Sequence, residues 1–411
     1  MKKTITTKAA ILILAGAGLI SLSSYSQTAY IANSGSTTIS VINVATNTIS
    51  TTITGLYLPF GVSASADGSK VYVADGNSTV KVISTATNTI SASIAVGYGP
   101  YYLCVSQDGS KLYVGNQGAN TVSVVNTATN SVISTIPVGS SPYGICVSPD
   151  GSTVYVANNS DNTVSVINTS NNTVSTTIRV GYSPYGICVS PDGSKVYVAN
   201  YNSDSISVIN SSTNSVSSRI LVGLRPYGVC LSPDGRKLYV ANSGSNTVSV
   251  INIATNAVSH TITVDAGPIG ISVSPNGSKV YVTNTTANTV SVIDTTTNTV
   301  STSIPVGPYP ASLGNFISTA LITTGVTSES NESMNISIYP NPFTSQTTIS
   351  FSEPQKTTTI KIMDVVGKEI KTVLFSGKSL ILEKGEMQSG VYFVQITNEK
   401  KNVVNKKIII Q

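Results

Sequence analysis

The sequence predicts an all-β protein: a seven-bladed β-propeller of four-stranded blades, followed by a small C-terminal β-sandwich. Three observations carry this. A hairpin signature, PYGICVSPDGSKVYVAN at 184–200, recurs around Tyr30, Tyr72, Tyr113, Tyr155, Tyr197, Tyr239 and Tyr281, in steps of 42, 41, 42, 42, 42 and 42 residues. A fixed period of about 40–45 residues with short strands is the mark of a propeller. The period ends near residue 318, where Lys and Glu become common and irregular short apolar runs replace the repeat.

Charged residues make up only 10% of the chain. Ser, Thr, Asn and Gly fill the polar positions instead, as is common in extracellular β proteins. Residues 27–318 carry ten Lys/Arg and ten Asp. A neutral repeat region offers no field for phosphate backbones, so nucleic acid is not an expected partner.

At the N-terminus, Lys2, Lys3 and Lys8 precede an apolar run from Ala9 to Leu22, and Ser24 and Ser26 then stand before Gln27. This pattern predicts a signal peptide over 1–26. The run is too short for a membrane span of about 20 residues, so the mature chain is expected to start near Gln27 with no span.

Each repeat within 27–318 reads as four strands. In the copy beginning at Pro184, the first two form the hairpin, with Pro191-Asp192-Gly193 as its turn. The third is Ser205 to Asn210 and the fourth Ser215 to Val222. Both faces of the third strand are small or apolar, as a sheet packed between two like sheets requires. The first copy starts at its second strand, and Pro310 to Ile317 stands alone at the far end. The expected closure pairs this segment with the strand around Tyr30, which leaves no open edge.

Tyr281-Val282-Thr283-Asn284 spells YVTN; sister copies read YVAN, YIAN, YVAD or YVGN, each followed by TVSVI or a close variant. The repeats resemble the YVTN β-propeller family of surface-layer and other secreted proteins. The resemblance implies the fold; propellers serve many functions.

Cys104, Cys146, Cys188 and Cys230 occupy one site in four successive first strands, with Ser63, Ser272 and Gly314 in the other three. Equivalent sites on packed sheets lie about 10 Å apart, beyond the roughly 7 Å a disulfide allows. Free buried thiols are expected. His260 is the single histidine, and 27–318 contains no Glu. Asp67, Asp108, Asp150, Asp192 and Asp234 read as turn residues. No catalytic residue, cofactor or metal site is expected, and the chain reads as a non-enzyme.

The loop leading into each first strand and the loop leaving each second strand should share one face. There Phe60, Tyr101, Tyr143, Tyr185 and Tyr227 follow a proline, with Arg225 nearby. Asn158, Asn200 and Asn242 stand among the exit residues. Such a ring suits a sugar, a peptide or a partner loop. Alternatively, the aromatics wedge between blades and the amides cap turns.

Residues 319–335 read as a linker, and 336–411 as the sandwich. Tyr339-Pro340-Asn341-Pro342-Phe343, Asp364-Val365-Val366-Gly367, Gly390-Val391-Tyr392 and Lys406-Lys407 resemble the sorting domain of type IX secretion in Bacteroidetes. Tyr339, Pro340, Asn341, Pro342, Gly390, Tyr392 and Lys407 carry the motif. The resemblance implies the type IX machinery as a partner and a secreted or outer-surface location. The functional expectation is a monomeric propeller that binds a surface protein or glycan, or acts as a scaffold. A lyase or lactonase at the channel mouth, or a surface-layer subunit, is the alternative.

Overall fold

The computed structural model describes residues 25–321, 336–364, 369–399 and 403–410. The expected signal peptide lies, but for Tyr25 and Ser26, outside them, as does most of the expected linker. The chain divides into two compact units, Met1–Thr324 and Gly325–Gln411.

Among the described residues, the first unit contains seven four-stranded antiparallel sheets, numbered 1 to 7 along the chain. This repeated-sheet architecture is that of a β-propeller. Sheet 5 is typical, with an innermost strand Pro184–Val189, then Lys195–Asn200, Ser205–Asn210 and an outermost Ser215–Leu221. The second and third strands are buried on both faces because each sheet lies between two others. The outermost strand alternates with solvent, and its Ile220 alone is fully covered.

The innermost strand has a bulge. Pro184 pairs with Asn200 and Ile187 with Val198, so Tyr185 and Gly186 sit where the register slips. A bulge re-aims the side chain it carries. Here it turns each post-proline aromatic out of the sheet and brings the glycine backbone against the next sheet. A Cβ at Gly144, Gly186, Gly228 or Gly270 would collide with the carbonyl oxygen of Tyr185, Tyr227, Ile269 or Ser312 respectively.

Polar fasteners join the sheets further out. Lys70 Nζ donates to the Thr127 carbonyl at 3.3 Å and Lys237 Nζ to the Thr295 carbonyl at 3.0 Å, each from one sheet to the next. Lys279 of sheet 7 donates to Val44 of sheet 1 at 2.8 Å, and the Tyr281 hydroxyl donates to Asn47 Oδ1 at 2.7 Å. Tyr281, Val290 and Val292 share a buried cluster with Ile31 and Ile39. Sheet 7 thus packs on sheet 1.

The C-terminal segment completes sheet 1, but not as one regular strand. Pro310 bridges Asn33, as Pro184 meets Asn200. The chain then bulges away: the Leu313 carbonyl accepts from Val62 N of sheet 2 at 2.9 Å. Regular pairing resumes only in Ile317–Leu321, with Ile317 opposite Ala29 and Leu321 opposite Tyr25. The expected end of this region at 318 therefore falls inside a strand that runs to 321.

The aspartates of the hairpin turns are structural. Ser190 Oγ, Ser194 N and Ser194 Oγ all donate to Asp192, and Asp108, Asp150 and Asp234 are held alike. These bonds favour the charged form, with the Ser190 hydroxyl the largest cause, and hold Asp192 at about 2.

The second unit is one five-stranded sheet in hydrogen-bonding terms, not two separate sheets. Its long strand Gln346–Met363 pairs through its first half with Ile336–Tyr339 and through its second with Gly390–Asn398. Ile349 and Phe351 from one half share a buried cluster with Ile360 and Ile362 from the other. The proline motif locks onto the last strand, Val403–Ile410. Asn341 Nδ2 donates to the Lys407 carbonyl and its Oδ1 accepts from Ile409 N, both at 2.8 Å. Phe343 is buried beside them and bridges Ile410. The Tyr392 hydroxyl donates to the Gln388 carbonyl at 3.0 Å. Tyr339 and Lys407 stay exposed, and Val365 to Gly367 lie outside the described residues.

Gly228→Ala should cost about 2–3 kcal/mol in thermal or urea unfolding, since the backbone contact leaves no room. Tyr281→Phe should cost only about 1 kcal/mol, one hydrogen bond. Because Asp192 is depressed when folded, its contribution is present above about pH 4 and lost toward pH 2. Acid melting curves should show Asp192→Asn losing stability less steeply over that window than the wild type.

Candidate functional site

The two loop sets do share a face, and in each sheet main-chain bonds join them. Tyr201 N donates to the Ser183 carbonyl and Ser243 N to the Arg225 carbonyl, both at 3.0 Å. Left-handed residues tie the loops to the preceding sheet. Asn162 Oδ1 accepts from Ser183 N at 2.8 Å and Asp204 Oδ1 from Arg225 N at 2.7 Å.

At the centre of this face the post-proline aromatics converge and pack ring against ring in sequence. Ring centroids lie 4.6 Å apart for Phe60 and Tyr101, 4.7 Å for Tyr101 and Tyr143, 4.6 Å for Tyr143 and Tyr185, and 4.3 Å for Tyr185 and Tyr227. Tyr101 and Tyr227 hydroxyls meet at 3.0 Å, which closes the arc across the axis. The rings pack on one another, not between the sheets as the alternative reading had it. Burial raises the Tyr101 and Tyr227 phenols, the latter well above the ordinary value. It raises Tyr185 to about 12, with the neighbouring Tyr143 adding to the effect. At neutral pH this cluster holds protonated phenols and no ready base.

The amides behave differently. Asn158, Asn200 and Asn242 are fully buried. Their Nδ2 atoms donate within their own sheets, to Ser165 at 2.8 Å, Ser207 at 2.9 Å and Ser249 at 2.9 Å. A Cβ at Gly139, Gly181 or Gly223 would strike them. The expectation that they line a binding face is corrected: all three are buried beneath the loops, and Asn200 Oδ1 accepts from Gly181 N of its lead-in loop at 3.0 Å. Sheet 2 replaces this Asn–Ser pair with Asp75 and Lys81, 3.8 Å apart, and Asp75 accepts from Tyr57 N and Leu58 N at 2.7 and 2.9 Å. Arg179 and Arg219 project from outermost strands, so they lie at the periphery and not at the centre of the face. His260 is exposed on an outermost strand as well.

Arg225 does belong to the face. It has φ of +53°, and its guanidinium lies over the Tyr201 ring, 5.8 Å from the centroid. Tyr201 in turn packs on Tyr185 at 5.1 Å and on Tyr227 at 6.1 Å. Tyr201 was missed in the sequence reading, although its signal is visible: sister copies carry Ser, Gly, Gln, Asn or Thr after the exit residue. Around this asymmetric centre, Tyr57, Tyr98, Tyr182 and Tyr309 stand exposed on the same loops, 59% to 70% accessible. Tyr98 rests against Gly118 and Tyr309 against Gly35, with no room for a Cβ between. Backbone supports these rings on one side and solvent meets the other.

Such a surface stacks on flat apolar faces, donates hydrogen bonds from phenols and offers one fixed positive charge. Among the described residues, no group of three or more His, Cys, Asp or Glu is placed to hold a metal ion.

Comparison with known proteins now adds the family. Residues 92–312 match the virginiamycin B lyase family. The chain belongs to that family. Residues 337–411 match the secretion system C-terminal sorting domain. The chain therefore carries a type IX sorting tail, which directs it to the outside of the cell or its surface and engages the secretion machinery. Among the described residues no helix is long and apolar enough to cross a membrane.

A curated relative, the endo-acting ulvan lyase of Formosa agariphila, is 34% identical over 77 residues, which is 18% of this chain and 15% of that protein. Among solved structures, hydrazine synthase of Kuenenia stuttgartiensis superposes with a TM-score of 0.58 at 25% identity, over 63% of this chain and 90% of that one. A protein of unknown function from Desulfotomaculum acetoxidans gives a TM-score of 0.62 at 19% identity, over 70% and 97%. The latter likeness is one of fold alone. The expectation of a non-enzyme is overturned by the family match and by the lyase relative. Absence of His and Glu from the face had been read as absence of chemistry, but a repeat scaffold can carry its chemistry on other residues.

The buried phenols ionise near pH 10 when unfolded and well above it when folded. Their contribution is thus present below pH 10 and lost as the pH climbs beyond it. Ultraviolet titration should show tyrosines that resist ionisation to about pH 12, Tyr185 among them. Tyr227→Phe should reduce that resistant fraction and soften the alkaline loss of stability.

Proposed function

We propose that the protein is an exported propeller of the lyase family that takes a polysaccharide across its loop-bearing face. The observation that carries this is the set of exposed lead-in tyrosines, Tyr57, Tyr98, Tyr182 and Tyr309, on the face that also bears Arg225 and Tyr201. Aromatic rings backed by main chain and open on one side suit the apolar faces of sugars, and a chain of rings along a rim suits a polymer. Arg225 favours a sugar bearing a carboxylate or sulfate.

The family match favours a second, compatible reading, in which elimination occurs at the same place. Arg225 neutralises a uronate carboxylate and so acidifies the neighbouring C–H. Solvent takes that proton, the electron pair forms the C=C bond, and the glycosidic C–O bond breaks as the Tyr201 hydroxyl gives its proton to the departing oxygen and then regains one from solvent. The ulvan lyase named above acts on a polysaccharide. Its likeness spans 77 residues, close to the length of the sorting tail, so it bears on export more than on substrate or chemistry.

The same reading takes the seven sheets as the seven blades of one closed ring. The bonds from Lys279 and Tyr281 to sheet 1 support it. The folded-over strand Gln346–Met363 supports a sandwich-like tail. Residues 1–26 are read as a removed signal peptide, 27–321 as the propeller and 336–411 as the sorting domain. The YVTN-type repeats are those of secreted surface proteins, and surface display is the corresponding role.

Affinity electrophoresis of the mature protein through acidic and neutral polysaccharide gels tests the binding reading. Retardation in an acidic gel, reduced by Tyr98→Ala and Tyr182→Ala and largely removed by Arg225→Ala, is expected; unretarded migration in every gel would end it. Elimination is read separately, as the ultraviolet absorbance of an unsaturated uronate. It should vanish in Tyr201→Phe while binding persists.

A further inference from the structure

Behind the aromatic cluster, toward the opposite face, the channel widens into a cavity of about 450 Å³. Volumes of about 300–1,000 Å³ are usual for small-molecule sites. Ile145, Ile187, Val229 and Ile271, each two residues past a post-proline position, line one end. Pro191, Pro233 and Pro275, from the hairpin turns, line the other, and Asn315 stands exposed at the rim. All four cysteines face this space as free thiols. Cys104, Cys188 and Cys230 keep accessible surface although they lie deep in the molecule, because that surface faces the cavity.

The lining is two-sided. Cys104, Cys146, Cys188 and Cys230 come from sheets 3 to 6, together with Ile187 and Val229, and make one polarizable arc, into which sheet 3 also places the buried Tyr102. Sheets 7, 1 and 2 place Ser272, Gly314 and Ser63 at the equivalent positions. Ser272 Oγ donates to Asn315 Oδ1 at 3.2 Å, and Ser63 Oγ accepts from Val105 N at 3.3 Å. The repeat would allow any mixture of small residues around the ring. Instead, thiols occupy one contiguous arc and polar or bare positions the other. No Asp, Glu, Lys, Arg or His lines the space. Burial also holds the thiols protonated, Cys104 at about 11. A charged ligand would lose its water here and find no counter-charge.

The geometry points to a second binding site, for a small neutral molecule with an apolar body against the thiol arc and one hydrogen-bonding group toward Ser63, Ser272 and Asn315. The site is separate from the polysaccharide face and does not depend on that reading.

The full mature chain, titrated with the neutral fluorophore N-phenylnaphthylamine, should show saturable enhancement at one site per chain. Saturation with this probe should slow maleimide labelling of the four thiols, read by intact mass, by at least about tenfold. The anionic analogue anilinonaphthalene sulfonate should not displace it. Cys188→Phe, which fills the space, should abolish the enhancement, and the near-isosteric Cys188→Ser should keep it. Non-saturable enhancement, equal displacement by the anionic dye, unprotected thiols or undiminished binding by a folded Cys188→Phe would each overturn the inference.

Discussion

Backbone meets backbone where the innermost strands of neighbouring sheets touch, and the rest of the propeller depends on that contact. Gly144, Gly186, Gly228 and Gly270 each lie against a carbonyl of the next sheet, at a distance no Cβ permits. Close approach at the axis draws the post-proline rings of Tyr101, Tyr143, Tyr185 and Tyr227 within stacking distance. It also leaves a cavity along the axis, lined by the residues that follow the rings in each innermost strand. Two positions break the pattern. Tyr102 replaces the glycine in sheet 3 and projects its ring into the cavity, and Ser312 replaces it in the closing segment. There the chain needs two more residues between its bridge to Asn33 and its regular pairing than the other sheets use.

The polar composition follows from the same geometry. A sheet packed on both faces can hold few charges, so neutral side chains do the fastening. Asparagine serves best because it tolerates φ > 0 and accepts hydrogen bonds locally. Asn47, Asn88 and Asn214 adopt that conformation between third and fourth strands, and Asn162 and Asn246 between second and third. The first set faces the signature tyrosines, as Tyr30 to Asn88 at 2.9 Å and Tyr281 to Asn47 show. The second set holds the lead-in loops of the next sheet. Lysines after the hairpin turns bond to carbonyls of the following sheet, so they act as long donors more than as surface charges.

Much of the candidate site was legible residue by residue. The turn aspartates, the free cysteines and the convergence of aromatics on one face could be read from spacing alone. Asn158, Asn200 and Asn242 could not be placed correctly, because a strand-end amide faces solvent or the sheet interior according to the loop above it. Tyr201 was visible as a break in the repeat, but its value comes from Arg225, which another sheet supplies. The functional class was not legible for a related reason: no histidine or glutamate marks this face, and the family match extends over residues 92–312.

The amino-acid sequence by itself determined the repeat, its strands and turns, and the two-part organisation with a sorting tail. Those features follow from local rules, namely alternation, turn chemistry and period, together with short contiguous motifs. Tertiary structure decided which way each strand-end side chain faces, how the last segment bulges before it pairs with the first sheet, and that four equivalent cysteines share one wall of a cavity. These depend on contacts between residues tens to hundreds of positions apart, where packing at the axis outweighs any local preference.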